Sequence, residues 1–286
     1  MKGLLVIAIS SLFFISCTKD IDFDYQLKEK LLVVDCMFTS EQPLEAYIST
    51  NSFILDTTIT YIDNALVILE ENGLFVDTLK HISNGLYRSL YYPHKGNCYA
   101  LKVEAPGFNP ICAEDTIPEI EAQINNVKFE SQVTIMEDVR FDLLSLDIVD
   151  GSMSTGYYEL ILLNQAITNN KHPYVDLFYI SNPLLSIKNW EPPFMKTILF
   201  SDKMFNNGVF HLDIYLHNNG NFPIVKLRKT SFQYYEFKKS LYLHLSNQFS
   251  EKDDIDDFFR GEPENIYSNI ENGYGVFAGY SEVITN

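Results

Sequence analysis

Six histidines are the side chains best suited to bind a metal, and their spacing argues against that role. They are His81, His94, His172, His211, His217 and His244. None belongs to an H-E-x-x-H helix motif or to a Cys/His zinc spacing. His211 and His217 share one face of a candidate strand, but six residues of strand separate them by roughly 20 Å. The sequence therefore predicts no metal site.

Motifs for nucleophilic catalysis and nucleotide binding are also missing. The stretch Gly151-Ser-Met-Ser-Thr-Gly156 departs from the G-x-S-x-G elbow and is typical of a turn. No P-loop or dinucleotide fingerprint occurs. The acidic run 251–257 offers oxygen ligands for calcium but lacks the glycine and spacing of a known calcium loop, and a solvated loop explains it as well. We predict no catalytic residues, no metal and no cofactor.

The charge balance excludes one class of partner. The 286 residues include 38 acidic and 21 basic side chains, for a formal net charge of −17. Such a surface repels phosphate backbones, because nucleic-acid binding depends on clustered Lys and Arg. A pair of acidic catalytic residues cannot be picked from 38 carboxylates without geometry, so a surface hydrolase stays open as an alternative.

Cys17 is the residue with the most specific chemistry. Lys2 precedes a 12-residue apolar run, Leu4 to Ile15, which is too short to span a bilayer but suits a secretory signal. The run ends in Phe14-Ile15-Ser16-Cys17, which resembles a bacterial lipobox, whose cysteine is acylated and becomes the new N-terminus. An ordinary secretory signal with an incidental cysteine is the alternative. We predict removal of residues 1–16 and a lipid anchor on Cys17.

Residues 17–30 then form the lipidated N-terminus and a polar tether. Two or more acyl chains hold a protein stably on a membrane without embedding it. The acidic stretch Thr18 to Asp24 resembles the surface-export signal of Bacteroidota lipoproteins, although a solvated tether explains it equally well. We expect an outer-membrane, lipid-anchored protein and leave its periplasmic or outward orientation open.

The other three cysteines are not expected to form a disulfide. Cys36 alternates with core positions of the first candidate strand. A hairpin turning at residues 106–109 pairs Lys102 with about Cys112, which leaves Cys98 four residues out of register. That offset is roughly 13 Å, beyond the separation that a disulfide allows.

Short alternating runs fill residues 31–118, with turn signals every 8–12 residues, and predict a β-sandwich of the immunoglobulin or fibronectin kind. Asn72-Gly73 is typical of a type I′ hairpin turn. The spacing Gly96-x-x-Tyr99-x-Leu101-x-Val103 resembles a tyrosine corner, although an ordinary core tyrosine gives the same pattern. The predicted strands are 31–38, 44–49, 65–70, 74–80, 86–90, 96–105 and 111–117.

Pro118 marks a boundary, and residues 119–286 are predicted to form a second β-rich domain that carries one packed α-helix. The helix is expected at 231–249, where aromatic residues recur at helical spacing after a Thr230-x-x-Gln233 capping box. Residues 169–193 look irregular. The predicted strands are 127–133, 141–149, 157–163, 195–200, 208–216, 222–228 and 275–284, with further β character at 266–267. The fold class is therefore mainly β.

A C-terminal motif carries a family resemblance. Glu262-Pro263 is followed by Tyr267-Ser268-Asn269-Ile270-x-Asn272-Gly273-x-Gly275-x-Phe277. This pattern resembles the C-terminal signature of the Bacteroidota lipoprotein family called domain of unknown function 4249. Tyr234-Tyr235, the lipobox and the early Leu-Val-Val strand fit the same family, so the resemblance covers essentially the whole mature chain.

The resemblance implies a location and a partner but no chemistry. The family is known mainly as envelope lipoproteins, often encoded beside TonB-dependent receptors, without an assigned activity. Read from the residues alone, the motif is structural, because glycines serve positive φ or close approach and asparagines stabilise turns. The alternative is a docking surface. Its candidate residues are Trp190, Asn269, Asn272, Gly273 and Gly275.

These observations predict a non-catalytic, lipid-anchored surface protein. We expect an accessory or ligand-capturing partner of a TonB-dependent outer-membrane transporter, with an unknown ligand. The alternatives are the surface hydrolase and an adhesin or structural envelope protein.

Overall fold

A computed structural model gives the structure of the protein. It describes residues 29–52, 58–136, 139–151, 155–164, 174–181, 197–204, 208–217, 220–248 and 265–285. The predicted signal peptide, Cys17, Trp190 and the acidic run 251–257 lie outside the described residues, so the interpretations that depend on them stay predictions.

Sixteen strands and one α-helix make up the described part. The first eight strands are β1 (Leu32–Phe38), β2 (Glu45–Thr50), β3 (Leu66–Glu71), β4 (Leu74–Thr78), β5 (Lys80–Ser83), β6 (Leu86–Arg88), β7 (Cys98–Glu104) and β8 (Ile111–Thr116). The others are β9 (Gln123–Met136), β10 (Val139–Val149), β11 (Tyr157–Leu163), β12 (Asp176–Ser181), β13 (Thr197–Ser201), β14 (Val209–His217), β15 (Ile224–Thr230) and β16 (Tyr274–Thr285). The helix α1 spans Phe232–Gln248, and a 3-10 turn at Asp202–Met204 follows β13. The mainly β fold class is confirmed.

One long sheet supports two shorter ones. Its eight strands run in the order β13-β11-β15-β16-β1-β2-β6-β5. The two four-stranded sheets have the orders β4-β3-β7-β8 and β12-β14-β10-β9. Buried side chains of β1 and β2 share one core with β3 and β7, and those of β11 and β15 share another with β10 and β14. Each short sheet therefore packs on its own part of the long sheet.

Strand β16 lies between the two parts. From Tyr274 to Gly279 it runs parallel to β1, and from Tyr280 to Thr285 it runs antiparallel to β15. Phe277 belongs to the core formed with β1, whereas Val283 packs against the other core. The division of the chain at 118/119 stays a prediction, and β16 contributes to the core on either side of it.

Helix α1 covers the opposite face of the long sheet. Tyr234 and Phe237 of the helix pack on Val276, Ala278 and Tyr280 of β16. The helix begins directly after Ser231, whose hydroxyl accepts a hydrogen bond from the Tyr234 N–H at 3.1 Å. The predicted capping box was therefore placed one residue too early, because Thr230 is still the last residue of β15.

Several local predictions are confirmed. Asn72 and Gly73 both have positive φ, as a type I′ turn requires. Lys102 pairs with Cys112, so the register that separates Cys98 from Cys112 is correct. Tyr99 is fully buried, and its hydroxyl accepts a hydrogen bond from the His94 N–H at 2.6 Å, which is the predicted tyrosine corner.

Three predictions of local structure were wrong. The expected strand 74–80 is divided at the buried Leu79, where the chain passes from one sheet to another as β4 ends and β5 begins. Residues 266–267 form no strand, because the Tyr267 N–H bonds the Ser240 hydroxyl of the helix instead. Strand β12 lies inside the stretch expected to be irregular, since its pairing with β14 outweighs the Pro and Asn residues around it.

Candidate functional site

Asn269 of the C-terminal motif binds the strand that follows it. Its Nδ2 donates to the Phe277 carbonyl at 2.8 Å, and its Oδ1 accepts from the Phe277 N–H at 3.0 Å. The side chain thus satisfies both backbone groups of one residue at the point where β16 passes β1. An asparagine suits this position because its amide carries a donor and an acceptor on two separate atoms, one for each backbone group.

The two glycines of the motif bring β16 against β1. A Cβ on Gly275 would lie 1.9 Å from the Val34 carbonyl oxygen, and its φ is +106°. A Cβ on Gly273 would lie 2.8 Å from the Leu32 carbonyl oxygen. Asn272 has a φ of 61° in the turn between them and Asn269. The spacing of the motif therefore fits a close approach of two backbones.

Four of the residues predicted for an interaction surface, Asn269, Asn272, Gly273 and Gly275, are thus brought together, and the fifth, Trp190, lies outside the described residues. Asn269, Gly273 and Gly275 contact β1 or β16 of the same chain, as the structural interpretation of the motif expects. Asn272 is exposed, and the neighbouring Glu271 accepts a 3.0 Å contact from the Cys112 thiol. A docking role for this turn stays a prediction.

A second set of contacts fixes β16 where it leaves β1 and joins β15. The Gly279 N–H donates to the Asp115 carboxylate at 2.8 Å, and the Ser281 hydroxyl donates to the Pro118 carbonyl at 2.5 Å. A Cβ on Gly279 would lie 2.6 Å from the Thr116 carbonyl oxygen. Burial raises the pKa of Asp115 to about 6, although hydrogen bonds from Ser231, Gly279 and Thr116 oppose that shift.

Beneath helix α1, Glu159 places a carboxylate on the long sheet with no solvent exposure. Its Oε2 accepts hydrogen bonds from the Tyr234 hydroxyl at 2.5 Å and from Arg228 Nη1 at 3.3 Å. Its Oε1 accepts from the Thr197 hydroxyl at 2.8 Å, with Lys238 Nζ 3.7 Å away. A carboxylate removed from water is stable only with such partners.

Arg228 connects this buried carboxylate to β16. Its Nε donates to Glu282 at 3.0 Å, and its guanidinium lies over the Tyr280 ring, 4.2 Å from the ring centroid. Lys226, on the same face of β15, reaches Glu282 at 3.2 Å. The cluster therefore joins β11, β15, β16 and α1 through charge-assisted bonds.

The buried phenols of this cluster are held in their protonated form. Burial raises the pKa of Tyr234 well above its ordinary value, and the charge of Glu159 adds to the effect. Burial likewise raises the pKa of Tyr242, whose hydroxyl lies 2.9 Å from that of Thr197. Both phenols stay protonated at neutral pH, so neither supplies a general base.

The hydrolase alternative requires two neighbouring carboxyl groups, and among the described residues Asp150 and Asp202 come closest to such a pair. Both are buried, and they hydrogen-bond to each other. The Tyr158 hydroxyl donates to Asp150 at 2.7 Å, and the Gly156 N–H donates to Asp202 at 2.7 Å. Burial and the neighbouring Asp150 raise the pKa of Asp202 to about 6. The pair connects Asp150, which follows β10, with Asp202, which follows β13, and each carboxyl also accepts a hydrogen bond from a residue at or beside the start of β11.

The sheet β4-β3-β7-β8 and the part of the long sheet that it packs on form the first sandwich, and the sheet β12-β14-β10-β9 forms the other sandwich with the rest of the long sheet. One end of the first sandwich presents a different kind of surface. Leu74 and Phe75 of β4 and Leu90 and Tyr92 of the loop after β6 are large and exposed, and together we name them the apolar end. Leu74 and Leu90 are the most exposed, at 73% and 77%. Asp77 of β4 accepts a hydrogen bond from the Leu90 N–H, and Glu71, which pairs with Leu74, accepts one from the Tyr91 hydroxyl, so the two exposed segments are neighbours. Exposed apolar side chains on neighbouring segments are typical of interaction sites.

Two carboxylates fix the loop of the apolar end to its hairpin. Glu71 accepts hydrogen bonds from Tyr99, from Asn97 and His94, and from the Tyr91 hydroxyl at 2.8 Å. Burial opposes its ionisation, but these bonds outweigh burial and lower the pKa of Glu71 to about 2. Asp77 accepts from the Leu90 N–H at 3.1 Å and from the Ser89 hydroxyl. The apolar side chains therefore stand on a preorganised base.

The described residues contain neither a metal-binding cluster nor a membrane-spanning helix. Among those residues, no group of three His, Cys, Asp or Glu side chains is placed to hold a metal ion. The described helix is neither long nor apolar enough to cross a bilayer.

Sequence reasoning missed the cluster beneath the helix and the fixed base of the apolar end. A signal for the first was present, because Glu159 is the one charged residue in the otherwise apolar strand YYELILL. A charge in such a strand indicates a buried ion pair. The partners of Glu71 carry no such signal, since they are spread over three elements and only the fold brings them together.

No curated protein matches this chain. A family model matches residues 18–285, which is nearly its whole length. The chain therefore belongs to the family described as Domain of unknown function (DUF4249).

Proposed function

We propose that the protein is a lipid-anchored outer-membrane protein without catalytic activity that acts as an accessory or ligand-capturing partner of a TonB-dependent transporter. Support for the anchor comes from the lipobox-like sequence ending at Cys17. Support for binding over catalysis comes from the ionisable clusters, whose members are bonded to one another and buried or largely enclosed.

The apolar end is the observation that carries this proposal. Leu74 and Leu90 expose 73% and 77% of their surface to water, which favours a partner that covers them. Preorganised apolar side chains lower the entropic cost of association and are typical anchors of protein interfaces. Edge strand β4 is also bulged opposite Leu69 and Glu70, which disfavours strand addition and leaves side-chain docking as the mode of contact.

The position of the apolar end suits a partner that rises above a membrane. The described chain enters near Leu31, at the start of β1. Backbone bonds place Leu44, Ser89 and Tyr91 side by side at the opposite end of that strand pair. Seven residues of strand separate the two ends by about 20 Å. With an anchor at Cys17, the apolar end faces away from the chain entry and towards the exposed parts of a membrane protein.

Affinity purification from gently solubilised native outer membranes tests the proposal. The tagged wild-type chain is expected to retain a TonB-dependent transporter, and the Leu74→Asp, Leu90→Asp double variant is expected to lose it. The matched control is Val209→Asp, which changes an apolar residue of the other sandwich that is 60% exposed and is expected to leave the complex intact.

Recovery of the wild-type chain without any transporter would refute the proposed partnership. Equal retention by the double variant would show that the apolar end is not the contact. Circular dichroism of the variants checks that they fold, since both leucines are exposed and carry little of the core.

A further inference from the structure

The face of the long sheet that bears α1 is left open over β1 and β2. Three tyrosines are exposed there: Tyr47 of β2 at 46%, Tyr61 between β2 and β3 at 42%, and Tyr274 of β16 at 48%. Asp35 of β1 is exposed among them. We name Asp35, Tyr47, Tyr61 and Tyr274 the tyrosine face.

Strand register puts these side chains on one surface. Val33 of β1 pairs with Tyr274 on one side and with Ser49 on the other, and Ser49 pairs with Tyr61. Paired residues point to the same side of a sheet, so Tyr274 and Tyr61 end one row about 14 Å long. Asp35 pairs directly with Tyr47 in the adjacent row, which places their Cβ atoms about 5 Å apart.

The ring of Tyr61 packs against Gly85, at a position where a side chain would crowd it. A Cβ on Gly85 would lie 3.0 Å from Cδ1 of Tyr61, and the φ of Gly85 is +70°. The Gly85 carbonyl accepts the Ile48 N–H at 2.8 Å. The tyrosine face is therefore built on paired backbone and a close ring–backbone contact rather than on free loops.

Charge selects the ligand of this face. Within the described residues, no Lys or Arg lies within 4 Å of the Asp35 carboxylate, and no cation lies over the Tyr47, Tyr61 or Tyr274 rings. Arg88, the nearest arginine on that side of β2, is already paired with Glu45 at 2.5 Å. Packing around the Asp35 carboxyl raises its pKa, with the charge of Lys238 opposing, although the residue keeps part of its surface in water. A carboxylate beside aromatic rings is complementary to an organic cation.

The same surface of the same sheet already holds such a cation elsewhere. On β15 and β16, the Arg228 guanidinium stacks on the Tyr280 ring while Glu159 and Glu282 bind its nitrogen atoms. Tyr47 and Asp35 repeat this pairing of ring and carboxylate two strands away, without the arginine. A planar guanidinium suits both groups better than an ammonium, because it stacks and donates in one plane.

We propose that the tyrosine face binds an arginine-bearing basic segment of the partner protein. The inference rests on the proposed function for the identity of that protein, and the net charge of −17 favours a basic partner over an acidic one. The guanidinium stacks on Tyr47 and donates to Asp35, and Tyr61 and Tyr274 receive neighbouring side chains of the segment.

Titration of the mature chain with a tri-arginine peptide at 0.15 M salt tests the site without the partner. Ring resonances of isotopically labelled tyrosines report where the peptide binds. We expect a saturable change in the chemical shifts of the Tyr47 ring. The affinity for the peptide should be at least about fivefold weaker in Asp35→Asn and in Tyr47→Ala. Tri-lysine is expected to bind more weakly than tri-arginine, and tri-glutamate not at all.

The matched control is Tyr92→Ala, which removes an exposed tyrosine from the apolar end and should leave peptide affinity unchanged. Absence of a saturable Tyr47 shift would overturn the inference. So would equal affinity in Asp35→Asn, because binding would then follow the overall negative charge.

The purified membrane complex separates this inference from the proposed function. If the wild-type chain retains the transporter and Asp35→Asn, Tyr47→Ala retains it equally, the tyrosine face is not the docking site although the partnership holds. If the wild-type chain retains no transporter, the partnership fails, and the peptide titration alone decides whether the face binds arginine. Retention that is lost in this double variant supports both.

Discussion

The two halves of strand β16 are joined to their neighbours by opposite means. Beside β1, the strand uses glycines, whose missing side chains let backbones approach, together with the amide of Asn269. Beside β15, it uses Glu282, which binds Lys226 and Arg228. The pairing of the first half is set by backbone contacts too close to admit a side chain. The pairing of the second half is set by ion pairs between neighbouring strands. We therefore expect the first half to tolerate substitution less well.

The largest effect is expected at Gly275. Gly275→Ala puts a methyl group 1.9 Å from the Val34 carbonyl oxygen at a φ of +106°, so the two strands must separate. We expect a loss of about 4 kcal/mol in the free energy of unfolding, measured by urea denaturation. Gly107→Ala is the control, because Gly107 also has a positive φ, but a Cβ there meets nothing within 4 Å. It should cost about 1 kcal/mol, and equal losses in the two variants would contradict the steric account.

Arg228→Met should have the next largest effect. It leaves the fully buried Glu159 without its arginine, and breaking a buried ion pair on one side costs about 3 kcal/mol. Lys226→Met removes a neighbouring cation that, among the described residues, pairs with Glu282 alone and should cost less than about 1 kcal/mol. Thermal unfolding of both variants measures the two losses of stability. Similar losses would mean that the burial of Glu159 does not determine the cost of removing Arg228.

Asn269→Ala should cost about 2 kcal/mol, because it removes two hydrogen bonds and leaves both backbone groups of Phe277 without their partner. Asn269→Asp keeps the acceptor for the Phe277 N–H and loses the donor, so its loss should be intermediate. Hydrogen exchange of the Phe277 amide measures the local opening directly. Faster exchange in Asn269→Ala but not in Asn269→Asp is the expected pattern.

The smallest effect concerns pH at the midpoint of β16. Burial raises the pKa of Asp115 from 3.8 to about 6, so the folded chain holds this proton more tightly than the unfolded chain. Its contribution is therefore present below pH 4 and is lost as the pH rises towards 6. Because Asp115 is partly exposed to solvent, we expect its contribution to the free energy of unfolding to be about 1 kcal/mol. Stability measured from pH 4 to pH 7 should fall less in Asp115→Asn, and an unchanged slope would contradict this role.

The sequence predicted strands and turns well, because these depend on near neighbours. Tyr157–Leu163 reads as one strand from its composition, and the positive φ at Asn72 and Gly73 follows from residue type alone. The capping residue was misplaced by one position, since a serine and a threonine stand side by side and only the end of β15 decides between them. The motif residues were found, but whether they contact β1 could not be derived from spacing.

The candidate sites were harder to predict, because their members are distant in the sequence. Glu159 and Arg228 meet across adjacent strands, and nothing near either residue indicates the other. The tyrosine face joins β1, β2 and β16, so it exists only after the first and last strands pair. Alternation gave the direction in which each of these side chains points, but not the order of the strands.

Strand β16 also determines when the chain can finish folding. Val33 and Tyr274, which pair, lie about 240 residues apart, so the first sandwich remains without Ile270 and Phe277 until the last residues have been made. Contacts between such distant residues close a large loop and form late. A chain that emerges from a translocation pore N-terminus first would therefore stay incompletely folded during its passage, and its compact state would form only after the C-terminal end is released.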